Sequence, residues 1–84
     1  MVKILYFARL REDLGKADEA LALPAGVADV QGLREHLIAR GGAWASALAF
    51  GKAVRISVNQ DMVCDNAPLR AGDEVAFFPP VTGG

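Results

Sequence analysis

The sequence holds a single cysteine, Cys64, and a single histidine, His36. One thiol excludes an internal disulfide framework and a multi-cysteine zinc site, and it suits a reducing compartment. One histidine without companion ligands predicts no metal site, and its place beside Leu37 marks it as a helix-surface or edge residue. Excess charge is missing too: nine basic against ten acidic side chains leave a net charge of −1. That balance offers no electrostatic case for nucleic acid or an anionic membrane. No apolar run approaches the ~20 residues that span a bilayer. The opening Met1–Ala8 run is too short for the hydrophobic core of a secretory signal. The expectation is a soluble, cytoplasmic protein.

The usual catalytic arrangements are absent as well. Ser46 and Ser57 lack the glycine elbow of a serine nucleophile. Gly41-Gly42 closes a helix instead of opening one, so it is no phosphate-binding loop. Asp61, Asp65, Asp73 and Glu74 fall mostly in or beside turns, where aspartate bonds the local backbone. Cys64, between Val63 and Asp65, has no cationic neighbour to activate it and reads as a small, partly buried strand residue. The chain is therefore expected to carry no active site of its own and no bound cofactor.

What is present is a single small domain. A chain of 84 residues has room for one core, and its 52% hydrophobic content argues for a packed fold. Residues 2–8 read as a strand, with Val2, Ile4 and Tyr6 on one face and Lys3, Leu5 and Phe7 on the other. That second face is only partly polar, and Phe7 on it is a candidate contact residue. Arg9–Lys16 reads as a polar connector closed by Gly15, and 19–23 as a second strand ending at Pro24. Asp29 is the expected N-cap of a helix over 30–40, whose Val30, Leu33, Leu37 and Ile38 share one stripe. Arg34, Glu35 and Arg40 are placed off that stripe. A short helical turn over 43–50 brings Trp44, Leu48 and Phe50 to the core edge. Strands follow over 53–58 and 62–64, joined by the turn Asn59-Gln60-Asp61, and a last strand covers 74–78. A hairpin, a helix and a final strand predict an α+β, β-grasp layout: a mixed sheet with one main helix across one face. In that layout the first and last strands are central neighbours, and Phe7 and Phe78 meet on the face away from the helix.

The final stretch, Phe77-Phe78-Pro79-Pro80-Val81-Thr82-Gly83-Gly84, is the one feature these elements do not absorb. Two prolines fix φ and remove backbone donors, so the strand must stop and the chain must leave extended. Pro79 to Gly84 could reach roughly 20 Å. Glycines without a Cβ allow the tip to enter a slot that would exclude any other residue. Chain ends often fray, but Gly-Gly falls there by chance in only about 0.5% of chains. The expected division is a folded domain over 1–78 and a tail over 79–84. At that tip the α-carboxylate of Gly84 is an anion at neutral pH. Attack on the α-phosphate of ATP in a partner's site would convert it to an acyl adenylate, open to sulfur or amine nucleophiles.

The block Gly72-Asp73-Glu74-Val75-Ala76-Phe77-Phe78-Pro79-Pro80-Val81-Thr82-Gly83-Gly84 closely resembles the small subunits of molybdopterin synthase, the MoaD family. Val2–Ala8, the Arg11-Glu12 pair and Val58-Asn59-Gln60 share that resemblance, which covers essentially the whole chain. It implies a ubiquitin-like β-grasp sulfur carrier, a non-catalytic subunit whose terminal glycine is adenylated by a ubiquitin-activator-like enzyme that consumes ATP. A persulfide donor protein then supplies sulfur, giving a C-terminal thiocarboxylate. The tail enters the large synthase subunit, within a heterotetramer, and sulfur passes to cyclic pyranopterin monophosphate. By position the resemblance implies Gly84 as the carrier, with Pro79, Pro80, Val81, Thr82 and Gly83 as the inserted tail. It implies Phe7, Met62 and Phe78 as the partner-facing surface. A ubiquitin-like protein modifier, a carrier for thiazole or cysteine synthesis, and a binding module with an incidental tail are the competing readings.

Overall fold

The computed structural model describes residues 1–79. Pro80, Val81, Thr82, Gly83 and Gly84, and the expectations placed on them, lie outside the described residues. In chain order the elements are β1 (Val2–Tyr6), α1 (Ala8–Leu14), β2 (Asp18–Leu21), α2 (Val30–Ile38), α3 (Ala43–Ala47), β3 (Arg55–Val58), β4 (Asp61–Val63) and β5 (Glu74–Phe78). The five strands form one mixed sheet in the order β2-β1-β5-β3-β4. β1 and β5 are its parallel centre, with Tyr6 opposite Phe77, and the other pairs are antiparallel. The β-grasp layout and the central pairing of first and last strands are as the sequence predicts.

Alternation decides which face is covered. Val2, Ile4 and Tyr6 of β1 and Val75 and Phe77 of β5 are buried together with Val30, Leu33 and Leu37 of α2. That places α2 across one face of the sheet and leaves Lys3, Leu5, Phe7, Ala76 and Phe78 on the other. Asp29 caps α2 as expected: its side chain accepts from the Gly32 N–H at 2.8 Å. The helix ends at Ile38, with the left-handed Gly41 beyond it, so it is shorter than the predicted 30–40.

Four expectations need correction. The connector over 9–16 is a helix, α1, because Leu10 and Leu14 stand four residues apart and bury against the core. Ala8 opens it with φ +52°, a left-handed turn that redirects the chain from the strand into the helix. Arg34 does not lie off the buried stripe: it is 3% exposed. Its Nε donates to the Leu48 carbonyl at 2.7 Å, and its Nη2 donates to the carbonyls of Ala49 and Lys52. Asp65 approaches Nη1 at 3.6 Å, and the Phe50 ring lies under the guanidinium. A buried cation is tolerable only when so surrounded by acceptors, and here it fastens the segment after α3 to α2. Cys64 is exposed and lies one residue past β4, so it is not the partly buried strand residue expected. The second strand also ends at Leu21, short of the predicted 23.

The turn between β3 and β4 is tighter than the sequence suggests. Asn59 and Gln60 both take positive φ, 51° and 74°, and Asp61 already belongs to β4. This is the two-residue hairpin geometry whose twist matches the flanking strands. The Asn59 side chain anchors it, accepting from the Glu74 N–H and donating to Asp73.

Candidate functional site

Two features converge where β5 ends: an apolar patch on the uncovered face of the sheet, and the root of the tail. The patch follows from cross-strand register. Leu5 stands opposite Ala76, Ala76 opposite Ser57, and Ser57 opposite Met62, so one row crosses four strands. Side chains directly opposite share a face. Phe7 and Phe78 close the row at the end from which the tail leaves. Their rings stack with centroids 4.8 Å apart and 4° between planes. Leu5, Phe7, Ser57, Gln60, Met62, Glu74, Ala76 and Phe78 line a shallow concavity of about 260 Å³.

The aromatics on the two faces have different environments. Tyr6 and Phe77 are fully enclosed beneath α2, whereas Phe7 is 40% and Met62 58% exposed, with Phe78 half-buried between them. Sequence reasoning placed Phe7, Met62 and Phe78 together, and the fold brings them to one surface. It missed Leu5, Ser57, Gln60 and Ala76 as lining residues. The alternation that put Leu5 beside Phe7 and Ala76 beside Phe78 carried that signal.

At the tail root, Pro79 is half-buried and lines a furrow between α1 and the segment after α3. Arg9, Leu10, Asp13, Ala47, Lys52 and Val54 complete it, around a volume of about 380 Å³. Val54 sits beside Pro79 because Arg55 and Phe78, the next pair inward, are register partners. The prolyl ring therefore leaves the sheet over an apolar floor with charged walls.

A polar network braces the far side of β1. The Tyr6 hydroxyl donates to Glu19 at 2.8 Å, and Glu19 receives both terminal nitrogens of Arg40 at 2.8 and 2.9 Å. Arg40 in turn lies over the Trp44 ring. The Arg40 guanidinium, helped by the tyrosine hydroxyl, holds the Glu19 carboxyl below the ordinary carboxylate range, against the opposing effect of burial. Burial, and then Glu19 itself, pushes the Tyr6 phenol well above its ordinary value. This network ties β1, β2, the turn after α2 and α3 together and is structural. His36 is exposed on α2, and no three metal-ligating side chains cluster among the described residues. No helix among the described residues is long and apolar enough to cross a membrane.

A five-stranded β-grasp sheet with one face covered, an apolar patch on the other and a final strand that ends at the patch edge defines the ubiquitin-like class. Within it, the chain belongs to the ThiS family, whose model matches residues 4–84. It is 48% identical to the molybdopterin synthase sulfur carrier subunit of Escherichia coli across all 84 residues and the full length of both chains. It is 42% identical, again over the full length of both, to the protein of that name from Haemophilus influenzae. Among solved structures, SAMP1 of Haloferax volcanii superposes with a TM-score of 0.78 at 25% identity, covering 99% of this chain and 98% of that one. The resemblance first carried by the C-terminal block thus extends along the whole chain.

Proposed function

We propose that this chain is the sulfur-carrier subunit of a molybdopterin synthase. The observation that carries the reading is full-length identity of 48% to a protein of that name, with a family match that runs through Gly84. The Gly84 carboxylate attacks the α-phosphate of ATP in an adenylating enzyme, releasing pyrophosphate and leaving an acyl adenylate. A persulfide sulfur on a donor protein then attacks the acyl carbon and expels AMP. A thiol cleaves the resulting acyl disulfide, which leaves a thiocarboxylate on Gly84 and a disulfide on the donor side. The charged tail enters the large synthase subunit, where its sulfur passes to cyclic pyranopterin monophosphate.

This chain's part is presentation. Phe7, Met62 and Phe78 form the apolar face that docks on the partners, two large subunits and two carriers making a heterotetramer. Pro79 to Gly83 form the arm, and Gly84 is the reacting group. Partner side chains do the catalysis, ATP is consumed by the adenylating partner, and no cofactor resides on the carrier. The setting is the cytoplasm. Stacked, half-exposed aromatics at the tail root support the docking role, since aromatic anchors dominate interface energetics.

Intact-mass measurement after incubation with the adenylating enzyme, Mg-ATP and the persulfide donor tests the reading. The expected gain is about 16 Da, one oxygen exchanged for one sulfur, and it vanishes when Gly84 is deleted. An unchanged mass, or a gain that survives the deletion, contradicts it.

A modifier role is the second reading, favoured by the superposition on SAMP1, a small archaeal modifier protein by name. A lysine amine would then capture the same adenylate. Isopeptide-linked adducts on cellular proteins, absent when Gly84 is removed, would establish that role.

A further inference from the structure

The apolar face accounts for one side of the strand exit but leaves the furrow beneath Pro79 without a role. Its walls are Arg9, from α1, and Lys52, from the segment after α3, both exposed. A third cation stands on the opposite side of the sheet. Arg55 is the register partner of Phe78, so it lies on the apolar face beside that ring, and it too is exposed. Cations therefore flank the chain above and below the point at which it leaves the sheet.

Their position against Phe78 and Pro79 distinguishes them from Lys3, Arg11 and Arg70, which likewise enter no ion pair among the described residues. Lys16, Arg34 and Arg40 each pair with a carboxylate. Among the described residues Arg9, Lys52 and Arg55 enter no ion pair and no side-chain hydrogen bond. Asp13 is the one carboxylate lining the furrow, where it faces Arg9 and Lys52, in a chain whose net charge is −1. At the opposite end of β5 both signs are present: Asp73 and Glu74 lie near the Asn59-Gln60 turn, with Lys3 opposite Glu74 and Arg70 beside Asp73. Lys52 is also held in place: its carbonyl accepts from the buried Arg34, and its N–H donates to Ala49 at 2.8 Å.

We propose that Arg9, Lys52 and Arg55 form a cationic collar that engages a carboxylate-bearing rim around the tail entrance of the adenylating enzyme. The proposal rests on the reading of Gly84 as the activated carboxylate. A rim of carboxylates would repel a bare terminal carboxylate, and the collar at the root supplies the opposing attraction while orienting the molecule tail first. The collar adjoins the apolar docking face through Arg55 and Phe78, so both can be covered by one partner. The adenylating enzyme fits better than the large subunit. The latter must hold an anionic pterin phosphate at the end of the same arm, which calls for cations around that site. The adenylating enzyme meets its nucleotide as the magnesium complex, already partly neutralised, so its rim is free to be acidic.

The test compares the full chain with two charge-reversal variants, Arg9→Glu with Lys52→Glu, and Arg55→Glu. Association and dissociation rates with the adenylating enzyme are measured from low to high salt, and affinity for the large subunit is measured in parallel. The expected result is association slowed about tenfold at low salt, with the variants converging on the parent as salt screens the collar. For the Arg9→Glu, Lys52→Glu pair large-subunit affinity stays within about threefold, because the furrow lies on the other side of the sheet from the apolar face. An unchanged association rate and salt slope overturn the proposal. So does equal loss toward both partners. Faster association also overturns it, since that result would mean the collar was holding the chain's own carboxylate. Pyrophosphate release by the unaltered chain is followed in the same samples. Binding without release would count against the role of Gly84 while leaving the collar intact.

Discussion

The rings of Phe7 and Phe78 stack at 4.8 Å although they come from opposite ends of the chain. The parallel pairing of β1 with β5 makes this possible: Tyr6 and Phe77 are register partners, and the residue after each points to the uncovered face. The core and the docking face thus share one register, with Tyr6 and Phe77 inward and Phe7 and Phe78 outward.

Replacing Phe78 by Ala should therefore act on binding more than on folding. Loss of an aromatic anchor at an interface typically costs ≥2 kcal/mol, or about thirtyfold or more in affinity. The melting temperature should fall by only a few degrees, because the ring is half-buried and stacked on an exposed partner. Titration of the large subunit beside a thermal melt checks this. A fall in stability with affinity preserved would place Phe78 in the core instead.

Replacing Arg34 by Met should have the opposite profile. The change strips the carbonyls of Leu48, Ala49 and Lys52 of their donor, and orphaned acceptors of this kind cost about 1–3 kcal/mol each where water cannot reach them. Chemical denaturation should show a loss of about 3 kcal/mol. Faster hydrogen exchange over 48–52, out of proportion to the rest of the chain, should accompany it.

Acid should weaken the fold through Glu19. Its carboxyl titrates lower in the folded chain than in the unfolded one, chiefly because Arg40 bonds it. The stabilisation is complete above the ordinary carboxylate range and is lost as pH falls through the depressed folded value. Glu19→Gln should flatten the acid limb of a melting-temperature profile. A residual slope should remain, since Asp73 is likewise lowered, by the Asn59 side chain first and the Arg70 N–H second. Tyr6 works in the other direction: its phenol is raised, so stability should fall once the unfolded phenol begins to ionise, near pH ~10.

The hairpin turn offers a contrast between neighbours. Gln60 takes φ +74°, and Gln60→Gly would create the Asn-Gly pair that this turn type favours. A gain of about 0.5–1 kcal/mol, roughly 2–8 °C in melting temperature, is expected. Asn59→Gly satisfies the backbone equally well but removes the bonds to Asp73 and Glu74, so it should destabilise. Thermal melts of the two variants distinguish turn geometry from side-chain anchoring.

Much of this was legible in the sequence because the strands alternate cleanly. Val2-Ile4-Tyr6 and Val75-Phe77 announce the covered face, Phe7 and Phe78 announce the other, and Met62 joins them only through the family resemblance. What stayed hidden depends on tertiary partners. Arg9–Lys16 looks polar because only Leu10 and Leu14 turn inward, which is too few for a periodic pattern yet enough to seat one short helix. Arg34 looks like a surface residue because nothing local signals that three carbonyls from 48–52 will converge on it. The cations at the tail root meet only in the fold, Arg55 through strand register and Arg9 and Lys52 across the furrow, which no local motif encodes.

Sulfur delivery tests the central claim most directly. The thiocarboxylate form is mixed with the large subunit and cyclic pyranopterin monophosphate, and both carrier mass and pterin product are followed. The account predicts that the carrier loses the same ~16 Da it gained on charging, and that the pterin acquires two sulfur atoms for every two carriers discharged. A carrier that keeps its sulfur in the presence of both partners, or that loses it without sulfur appearing in the pterin, would contradict it.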